Sequence, residues 1–297
     1  PEESPRAGEV LGERYRLIRE IGRGGMGVIY EAFDERPTDP KSTRRAAIKL
    51  LHAVAATHAH VRNRFEREGL LAGRLKEYPG IVSVFDTGSI PETGELYLVM
   101  EFVDGNSLDK LVIRGLDRVH GAHLVACTAR AVHYAHQNEV VHRDLKPANV
   151  MVTKAGAVRL TDFGVAKALD DAGGMTATGT KLGTPHYMAP EQVEDSKRAN
   201  VVTDVYSLGG ILYTVITRKL PFTGRNLAQV LRQVTSGKIV PPIEVDPKVP
   251  AGLNAIVMRA MSKTPGERPQ TAEALAEELE AWVKQNLPKP PNLRRNG

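Results

Sequence analysis

Cysteine is almost missing from this sequence, and so is any long hydrophobic run. The single cysteine, Cys127, excludes an internal disulfide framework and a cysteine-based metal cage, which favours a reducing compartment. It lies in the apolar run Leu124–Ala135, and we interpret it as core filler rather than a nucleophile. The longest apolar candidates, such as Val205–Ile216, are interrupted by serine and glycine. The sequence therefore predicts no membrane span in this chain.

A concentration of charge is also missing. The formal net charge is +5 and the sequence pI is near 9.2, but the basic residues are scattered rather than gathered into a stripe. We therefore expect no nucleic-acid partner. Hydrophobic residues make up 41% of the 297 residues, enough for the core of one large domain or two joined lobes. Because the chain starts at Pro1 and ends in the basic, Pro-containing tail Leu287–Gly297, we interpret it as a piece of a longer protein.

Strand patterns dominate the first hundred residues. β-Branched and apolar runs over 15–35 and 44–50 predict strands, and 81–103 predicts two more, joined by a turn at Pro91–Gly94. Between them, Val61–Leu75 has helical spacing. This part is predicted to be a sheet with one helix.

Helical spacing dominates after Gly105. The predicted helices are Leu124–Gln137, Val201–Thr217, Leu227–Ser236, Leu253–Met261 and Thr271–Gln285. Polar loops are predicted at Asp34–Arg45 and Asp170–Lys181. We place the boundary between the two parts at Val103–Gly105, with an N-terminal extension over 1–14, a first lobe over 15–103, a second over 104–286 and a tail over 287–297.

A glycine-rich turn follows the strand predicted at Tyr15–Ile21. The segment Gly22–Val28 (GRGGMGV) has the glycine spacing G-x-G-x-x-G, and we assign Val28 to the valine of the longer pattern G-x-G-x-x-G-x-V. Glycines let backbone amides approach phosphates closely. A flexible hairpin or a dinucleotide-binding turn could carry the same glycines. A dinucleotide turn opens a helix, however, whereas this one opens another strand at Val28–Phe33.

A lysine lies in the next apolar strand, Lys49, 27 residues after the first glycine. An isolated strand lysine is usually a solvated edge residue, but the glycine loop before it favours phosphate binding. A carboxylate must then hold it, and the predicted helix offers Glu66 and Glu68. We choose Glu68, which is nearer to the apolar side of the helix defined by Phe65, Leu71 and Leu75. Gly69 should weaken that helix by about 1 kcal/mol relative to alanine.

The segment His142–Asn149 (HRDLKPAN) carries an acid, two bases and an amide directly after the strand-like pair Val140-Val141. Its proline forbids a regular helix. A solvated charged loop is the alternative, and the next segment argues against it: Asp162-Phe163-Gly164 follows a short strand predicted at Val158–Thr161.

Two groups of these loops can bind a metal. Asp162 and Asn149 supply the hard oxygen ligands that Mg²⁺ prefers when it bridges substrate phosphates. Asp144 is then left free to accept the proton of an acceptor hydroxyl.

These motifs together resemble the eukaryotic-like (Hanks-type) protein serine/threonine kinase family. The glycine loop, strand lysine, H-R-D-L-x-x-x-N loop, D-F-G and Ala189-Pro190-Glu191 occur in the family's order over about Tyr15–Val283. The resemblance implies an α+β, bilobal fold, with a small antiparallel N-lobe sheet, one main N-lobe helix and a larger, mostly helical C-lobe. It also implies ATP and Mg²⁺ as cofactors, with Mn²⁺ as an alternative metal.

The resemblance assigns the chemistry to five positions. Lys49 is expected to contact the α- and β-phosphates and to pair with Glu68. Asp144 is expected to be the catalytic base, and Asn149 and Asp162 the metal ligands.

A nucleotide site is implied by the same family positions. Met100–Val103 resembles the hinge that holds adenine, with Met100 as gatekeeper and Val103 offering backbone groups. Adenine is expected to lie between Val28 and Ala47 on one face and Met151 or Val152 on the other. The predicted nucleotide site comprises Ile21, Gly22, Gly24, Gly25, Gly27, Val28, Ala47, Lys49, Met100, Glu101, Val103 and Met151.

Other matching positions imply acceptor type and support. Lys146, counted with the catalytic residues, and Thr184 are typical of serine/threonine kinases. Asp204 resembles the buried aspartate that braces the catalytic loop. Glu191 and Arg268 resemble an ion pair between helices, which we treat as structural.

The segment between D-F-G and A-P-E resembles an activation loop. Arg143 could bind a phosphothreonine there and order the loop. The predicted autophosphorylation sites are Thr176, Thr178 and, as a weaker candidate, Thr180.

The subfamily that the motifs most resemble is the bacterial membrane-anchored serine/threonine kinases. The resemblance implies protein substrates, a homodimer through the back of the N-lobe, a signalling role and a cytoplasmic location, either free or as the cytoplasmic domain of an anchored protein. Two rivals stay open. A pseudokinase usually lacks the lysine or one of the aspartates, all present here, and a small-molecule phosphotransferase would not need the A-P-E segment or a threonine-rich loop.

Overall fold

The computed structural model describes residues 6–24, 27–36, 44–51, 75, 78–163 and 185–287. Within them, six strands form one antiparallel sheet in the order β1-β2-β3-β4-β6-β5. The strands are β1 Val10–Leu11, β2 Tyr15–Gly24, β3 Gly27–Asp34, β4 Arg45–Leu51, β5 Val84–Ser89 and β6 Leu96–Glu101. These bounds confirm the strands predicted in the first part of the chain.

The alternation of side chains gives this sheet two apolar faces. In the antiparallel register, Val28 is opposite Leu50 and Ile29 is opposite Lys49, so neighbours along β3 point to opposite faces. One face forms a cluster around Ile48. The other forms a smaller cluster around Ala47 and is the side that carries Lys49.

Part of the predicted N-terminal extension, 1–14, pairs with the large sheet. β1 pairs with β2, the Gly8 amide donates to the Leu17 carbonyl, and the Arg6 guanidinium binds Glu95 at 2.8 Å. The described residues before Tyr15 are therefore part of the sheet, a pairing that two-residue strands such as β1 are too short to reveal in sequence.

Helices form the second part of the chain. They are α1 Leu108–Ile113, α2 Arg118–Gln137, α3 Pro190–Glu194, α4 Val201–Thr217, α5 Leu227–Ser236, α6 Pro242–Val245, α7 Ala251–Ala260 and α8 Ala272–Asn286. The helix α4 is buried along almost its whole length and packs against α2 and α7, which explains its uniformly apolar sequence. Polar caps set several starts, including a capping box at Asn200 and side-chain caps at Asp117, Asn226 and Thr271.

A small second sheet lies where the two parts meet. It consists of β7 Gly105–Ser107, β8 Val150–Thr153 and β9 Val158–Leu160, paired in that order. The sequence predicted a mostly helical second part with a short strand at Val158–Thr161, and it missed β7 and β8. Val140-Val141, predicted as strand-like, forms no strand, because its backbone turns from the end of α2 directly into the polar loop His142–Asn149.

Some predictions lie outside the described residues. They include the helix over Val61–Leu75, except for the buried Leu75, and most of the loop over Asp34–Arg45. The segment 164–184, which contains the predicted phosphorylation sites, also lies outside them. Among the helices that the structure describes, none is both long and apolar enough to cross a membrane.

Candidate active site

Asp144 lies at the centre of a short polar loop between α2 and β8. Its Oδ2 is 2.6 Å from the Lys146 ammonium, two residues later. The Asn149 amide nitrogen donates to the Asp144 carbonyl at 2.8 Å and approaches its Oδ2 at 3.5 Å. Pro147 begins a 3₁₀ turn that ends at Asn149, and this turn folds the loop back on itself. The loop therefore presents one carboxylate held by an ammonium and an amide.

Asp204 braces the start of this loop from α4. Its two carboxylate oxygens accept the backbone N–H groups of His142 at 2.8 Å and of Arg143 at 2.9 Å. The ring of His136 adds a third contact at 2.8 Å to the same fully buried carboxylate. Arg143 has φ +69°, in the left-handed region that non-glycine residues rarely adopt. The hydrogen bonds from Asp204 hold this unfavourable turn in place.

His142 links the loop to the segment that carries Asp162. Its Nε2 is 3.0 Å from the Thr161 carbonyl, and its Nδ1 is 3.3 Å from the Asp144 amide. A neutral ring that donates from Nε2 and accepts at Nδ1 satisfies both contacts. The same ring packs on Phe163, with centroids 4.6 Å apart. The two loops are thereby fixed to each other.

Lys49 and Asp162 form an ion pair between the large sheet and the second part of the chain. The Nζ of Lys49 is 2.6 Å from Oδ1 of Asp162, and the lysine side chain is only 9% exposed. Burial by itself would raise the pKa of Asp162, but the charge and hydrogen bond of Lys49 outweigh it, so this pKa is below its ordinary value. Asp162 also has φ +62°. The predicted partner Glu68 lies outside the described residues.

The residue assigned to cover the nucleotide from the sheet face around Lys49 needs to be corrected. Val28 was assigned to the nucleotide-covering position, but it packs with Ile48 and Leu50 on the opposite face. Ile29 lies opposite Lys49 and packs against the cluster that contains Ala47. Counted from Gly22, the valine position of G-x-G-x-x-G-x-V is the eighth residue, which is Ile29. The sequence assignment was therefore one residue too early.

Strand β8 carries the two residues, Met151 and Val152, that the sequence offered for the second face of adenine. Val150 and Val152 belong to the large core of the second part, whereas Met151, between them, is half-buried and lies outside that core. Adjacent residues of a strand point to opposite faces. Of the two alternatives from the sequence, Met151 is therefore the one that faces away from the core.

The hinge-like segment follows β6. Met100 is buried in the same cluster as Ala47, and Ile21 packs against that cluster. The side chain of Glu101 contacts Arg159 of β9 at 3.2 Å, so it points toward the small sheet. In the described part of the chain, no hydrogen bond is made by the backbone N–H or C=O of Val103. These groups are free to bind a ligand.

Gly27 has a structural reason to be glycine. A Cβ atom at this position would lie 1.9 Å from the Leu50 carbonyl oxygen, so no other residue fits without moving β4. Gly22 has no comparable contact, and Gly24 pairs with Gly27 at the end of the hairpin. Gly25 lies outside the described residues. Part of the glycine pattern is therefore explained by strand packing alone.

Glu191 and Arg268 form the predicted ion pair. Two guanidinium nitrogens bind the two carboxylate oxygens at 2.7 and 2.9 Å, and Thr203 donates a third hydrogen bond at 3.0 Å. Burial alone would raise the pKa of Glu191. The hydrogen bonds and charge of Arg268 lower this pKa by more than burial raises it, so the net shift is downward. Thr184, which with Lys146 is taken to indicate a serine or threonine acceptor, lies outside the described residues.

The donor set fits a divalent cation that also binds phosphate. The Thr161 amide donates to the Asn149 carbonyl at 2.9 Å, and this contact brings Asn149 close to Asp162. The Asn149 amide nitrogen is used by Asp144, which leaves its Oδ1 for a ligand. One carboxylate and one amide oxygen suit Mg²⁺ that completes its shell with substrate oxygens. Among the described residues, no cluster of three or more His, Cys, Asp or Glu could hold a metal alone.

The sequence of this chain also matches the model of a known protein family. The family model described as "Protein kinase domain" matches residues 15–279. The chain belongs to the protein kinase family. A probable serine/threonine-protein kinase of Corynebacterium efficiens is 37% identical over 280 residues, which cover 91% of this chain and 41% of that protein.

Other curated relatives of this kinase domain carry similar names. A probable serine/threonine-protein kinase of Streptomyces coelicolor is 37% identical over 278 residues, covering 92% of this chain and 40% of that protein. Serine/threonine-protein kinase PknB of Mycobacterium tuberculosis is 38% identical over 275 residues, covering 91% and 43%. The chain spans about two fifths of the length of these relatives. The bilobal α+β fold and the serine/threonine kinase family are thus confirmed for this domain.

Two residues near the site were missed from the sequence. Ile29 could have been found by counting the glycine pattern to its eighth position. Gln192, whose side-chain nitrogen donates to the Arg143 carbonyl at 2.7 Å, carries no signal in a single sequence. Its contact depends on how α3 packs against the loop.

Proposed function

We propose that this kinase domain transfers the γ-phosphoryl group of ATP to serine or threonine hydroxyls of other proteins. The observation that supports this most is the meeting of two constellations, Asp144 with Lys146 and Asn149, and Lys49 with Asp162. Phosphoryl transfer depends mainly on positioning and charge stabilisation, and these groups supply both.

Each side chain has a defined task in this proposal. Asp144 accepts the hydrogen bond of the acceptor hydroxyl and orients its oxygen toward the phosphorus. Lys146 offers a positive charge 2.6 Å from that carboxylate, where negative charge develops on the transferred group. Lys49 binds the α- and β-phosphates and pairs with Glu68, which holds the lysine in position. Asn149 and Asp162 would hold the divalent metal, Mg²⁺ or Mn²⁺, which when bound would neutralise charge on the phosphate oxygens.

The nucleotide base is proposed to bind between the two apolar surfaces. Ile29 and Ala47 cover one face of adenine, and Met151 covers the other. Met100 closes the back of the site, and the free backbone groups of Val103 hydrogen-bond the adenine edge. The remaining nucleotide contacts are proposed for Ile21, Gly22, Gly24, Gly25, Gly27 and the backbone of Glu101.

The proposal that phosphorylation activates the domain rests on a buried cation, the guanidinium of Arg143. Arg143 Nη1 is buried and has no hydrogen-bond partner in the described chain, which is costly for a guanidinium. A phosphothreonine would satisfy it with charge-assisted hydrogen bonds. The candidates are Thr176, Thr178 and Thr180. Phosphopeptide mapping after incubation with ATP should find Thr176 and Thr178 modified, and unmodified threonines would contradict this part.

Acceptor type and context rest on the relatives. The curated relatives are named serine/threonine-protein kinases, and Lys146 and Thr184 match that class. We extend to this domain a bacterial signalling role, a cytoplasmic location that includes the cytoplasmic part of an anchored protein, and a homodimer through the N-lobe. Lobe boundaries at 15–103 and 104–286 complete the proposal.

Transfer of label tests the proposed function. The domain is incubated with γ-labelled ATP, Mg²⁺ and a generic protein substrate, beside Asp144→Asn. Glu92→Gln, which makes the same carboxylate-to-amide change in an exposed turn, serves as the matched control. We expect labelled phosphoserine and phosphothreonine with the wild type and Glu92→Gln, and almost none with Asp144→Asn.

The same assay separates the rivals. A pseudokinase would bind ATP without labelling protein, and a small-molecule phosphotransferase would consume ATP without labelling protein once its acceptor is added. Equal label with wild type and Asp144→Asn would contradict the role of the loop.

A further inference from the structure

Gln192 connects the A-P-E helix α3 to the catalytic loop. Its Nε2 donates to the Arg143 carbonyl at 2.7 Å. Its Oε1 is buried and has no partner among the described residues. A buried acceptor without a partner is unfavourable. The side chain nevertheless keeps this orientation, because the reverse one would place Oε1 against the carbonyl oxygen.

The carbonyl that Gln192 binds belongs to the most constrained residue of the loop. Arg143 has φ +69°, and its N–H is already fixed by Asp204 at 2.9 Å. The peptide unit after Arg143 leads directly to Asp144. With Asp204 on one side and Gln192 on the other, both backbone polar groups of Arg143 are held. The direction in which Asp144 leaves this turn therefore depends on Gln192 as well as on Asp204.

Gln192 is itself fixed by its neighbour. Glu191 precedes it in α3 and forms the buried bidentate pair with Arg268. This ion pair, which the family resemblance implies to be structural, thus anchors the residue that holds the loop. The path runs from Arg268 through Glu191 and Gln192 to Arg143, each step a hydrogen bond or a peptide bond.

We propose that Gln192 is a positioning residue for the catalytic carboxylate of Asp144, and that the Glu191–Arg268 pair acts on catalysis through it. This inference rests on the proposed function, since it concerns the same loop. A misplacement of about 1 Å at a reacting group can reduce the rate of an enzyme about 100-fold. Loss of the Gln192 hydrogen bond should therefore lower kcat without removing nucleotide binding.

The test compares substitutions at this one position. Gln192→Met keeps the length of the side chain but cannot donate. Gln192→Glu donates only when its carboxyl is protonated. Gln229→Met, on the exposed side of α5, makes the same chemical change away from the loop. For each variant, kcat, KM for ATP and the unfolding temperature are measured.

We expect Gln192→Met to lower kcat by about tenfold or more, with KM for ATP and the unfolding temperature close to wild type. Gln229→Met should match wild type in kcat and KM for ATP; its unfolding temperature reports only the loss of the Arg225 N–H hydrogen bond to Oε1. The activity of Gln192→Glu relative to wild type should rise as the pH falls from about 8 to about 5.5, because the protonated carboxyl restores the donor. No donor can be restored in Gln192→Met, so its relative activity should stay flat over that range.

The outcomes are distinguishable. An inactive wild type would contradict the proposed function itself. A fully active Gln192→Met beside an active wild type would overturn the inference alone. A loss of kcat that follows a lower unfolding temperature, with no pH-dependent recovery in Gln192→Glu, would also overturn it, since the residue would then be merely structural.

Discussion

The ammonium of Lys49 and the carboxylate of Asp162 meet at 2.6 Å although 113 positions separate them in the sequence. Lys49 lies on the central strand β4 of the large sheet, and Asp162 follows β9 of the small one. Their pairing places a cation and an anion at the junction of the two lobes. Both charges are partly buried, so each depends on the other for stability.

Replacement of Lys49 tests this dependence. In Lys49→Met, the buried Asp162 loses its main favourable charge, so its pKa should rise above the wild-type value. Phosphoryl transfer should fall by at least about 100-fold, because the phosphates lose their cation. The checks are transfer kinetics and carboxyl NMR of Asp162. Lys248→Met, at an exposed lysine, should change neither; an unchanged Asp162 pKa in Lys49→Met would contradict the pairing.

Two adjacent residues of β3 should behave differently. Ile29→Ala removes apolar surface from the sheet face that carries Ala47 and Lys49, and it should raise KM for ATP severalfold. Val28→Ala removes a buried side chain from the opposite face and should cost about 1–3 kcal/mol of unfolding free energy with little change in KM. Kinetics and denaturant unfolding of the two variants decide the matter. If Val28→Ala were the variant with the higher KM, the assignment of the faces would be wrong.

The pair of Glu191 with Arg268 should make stability depend on acid. The folded-state pKa of Glu191 is below its ordinary value of 4.5, so its contribution is fully present above that value and lost as pH falls through the lowered one. Glu191→Gln leaves Arg268 buried without its partner and should cost about 3–5 kcal/mol near neutral pH. The gap between wild type and variant in denaturant unfolding should shrink in acid.

An exposed pair gives the control for that experiment. Glu194 and Arg198 are both more than half exposed, so Glu194→Gln should cost less than about 1 kcal/mol at every pH. A Glu191→Gln gap that stays constant down to strong acid would show that the carboxylate charge is not what the pair contributes.

Lys263 should add a second pH dependence of stability, in the alkaline range. Burial and the nearby Arg268 charge lower its pKa from 10.5 to about 8, while its ammonium lies 4.6 Å from the centroid of the Phe222 ring and caps the carbonyls at the end of α5. Between pH 8 and 10.5 the unfolded chain binds the proton and the folded chain does not. The stability of wild type should therefore rise relative to Lys263→Met across that window. A parallel pH profile of the two proteins would contradict the lowered pKa.

The sequence predicted those parts of the molecule that depend on local pattern. Strands β2 to β6 and the helices α4 and α5 follow from alternation and helical spacing, and α4 and α5 have the predicted bounds. Strand β1 could not be predicted, since two residues carry no periodicity. Strand β8 was missed because Val150–Thr153 follows a polar loop and its pairing with β7 joins residues far apart in sequence.

Several residues of the candidate site could be chosen from motif spacing. Asp144, Asn149 and Asp162 were chosen for their side-chain chemistry and lie in two loops that His142 joins. The assignment of Val28 to the nucleotide-covering face was wrong, because a shift of one residue along a strand moves a side chain to the opposite face of the sheet. The face is set by the pairing of β3 with β4. Gln192 was invisible because its role arises only when α3 packs against the loop.

The most direct test of the account is single-turnover transfer measured beside nucleotide binding. Wild type and Asp144→Asn are each loaded with labelled ATP and Mg²⁺, mixed rapidly with a protein acceptor and quenched over time. We predict the same nucleotide affinity for both proteins and transfer at least about 100-fold slower in the variant, because only the group that orients the hydroxyl is removed. Equal transfer rates at equal nucleotide occupancy would contradict it.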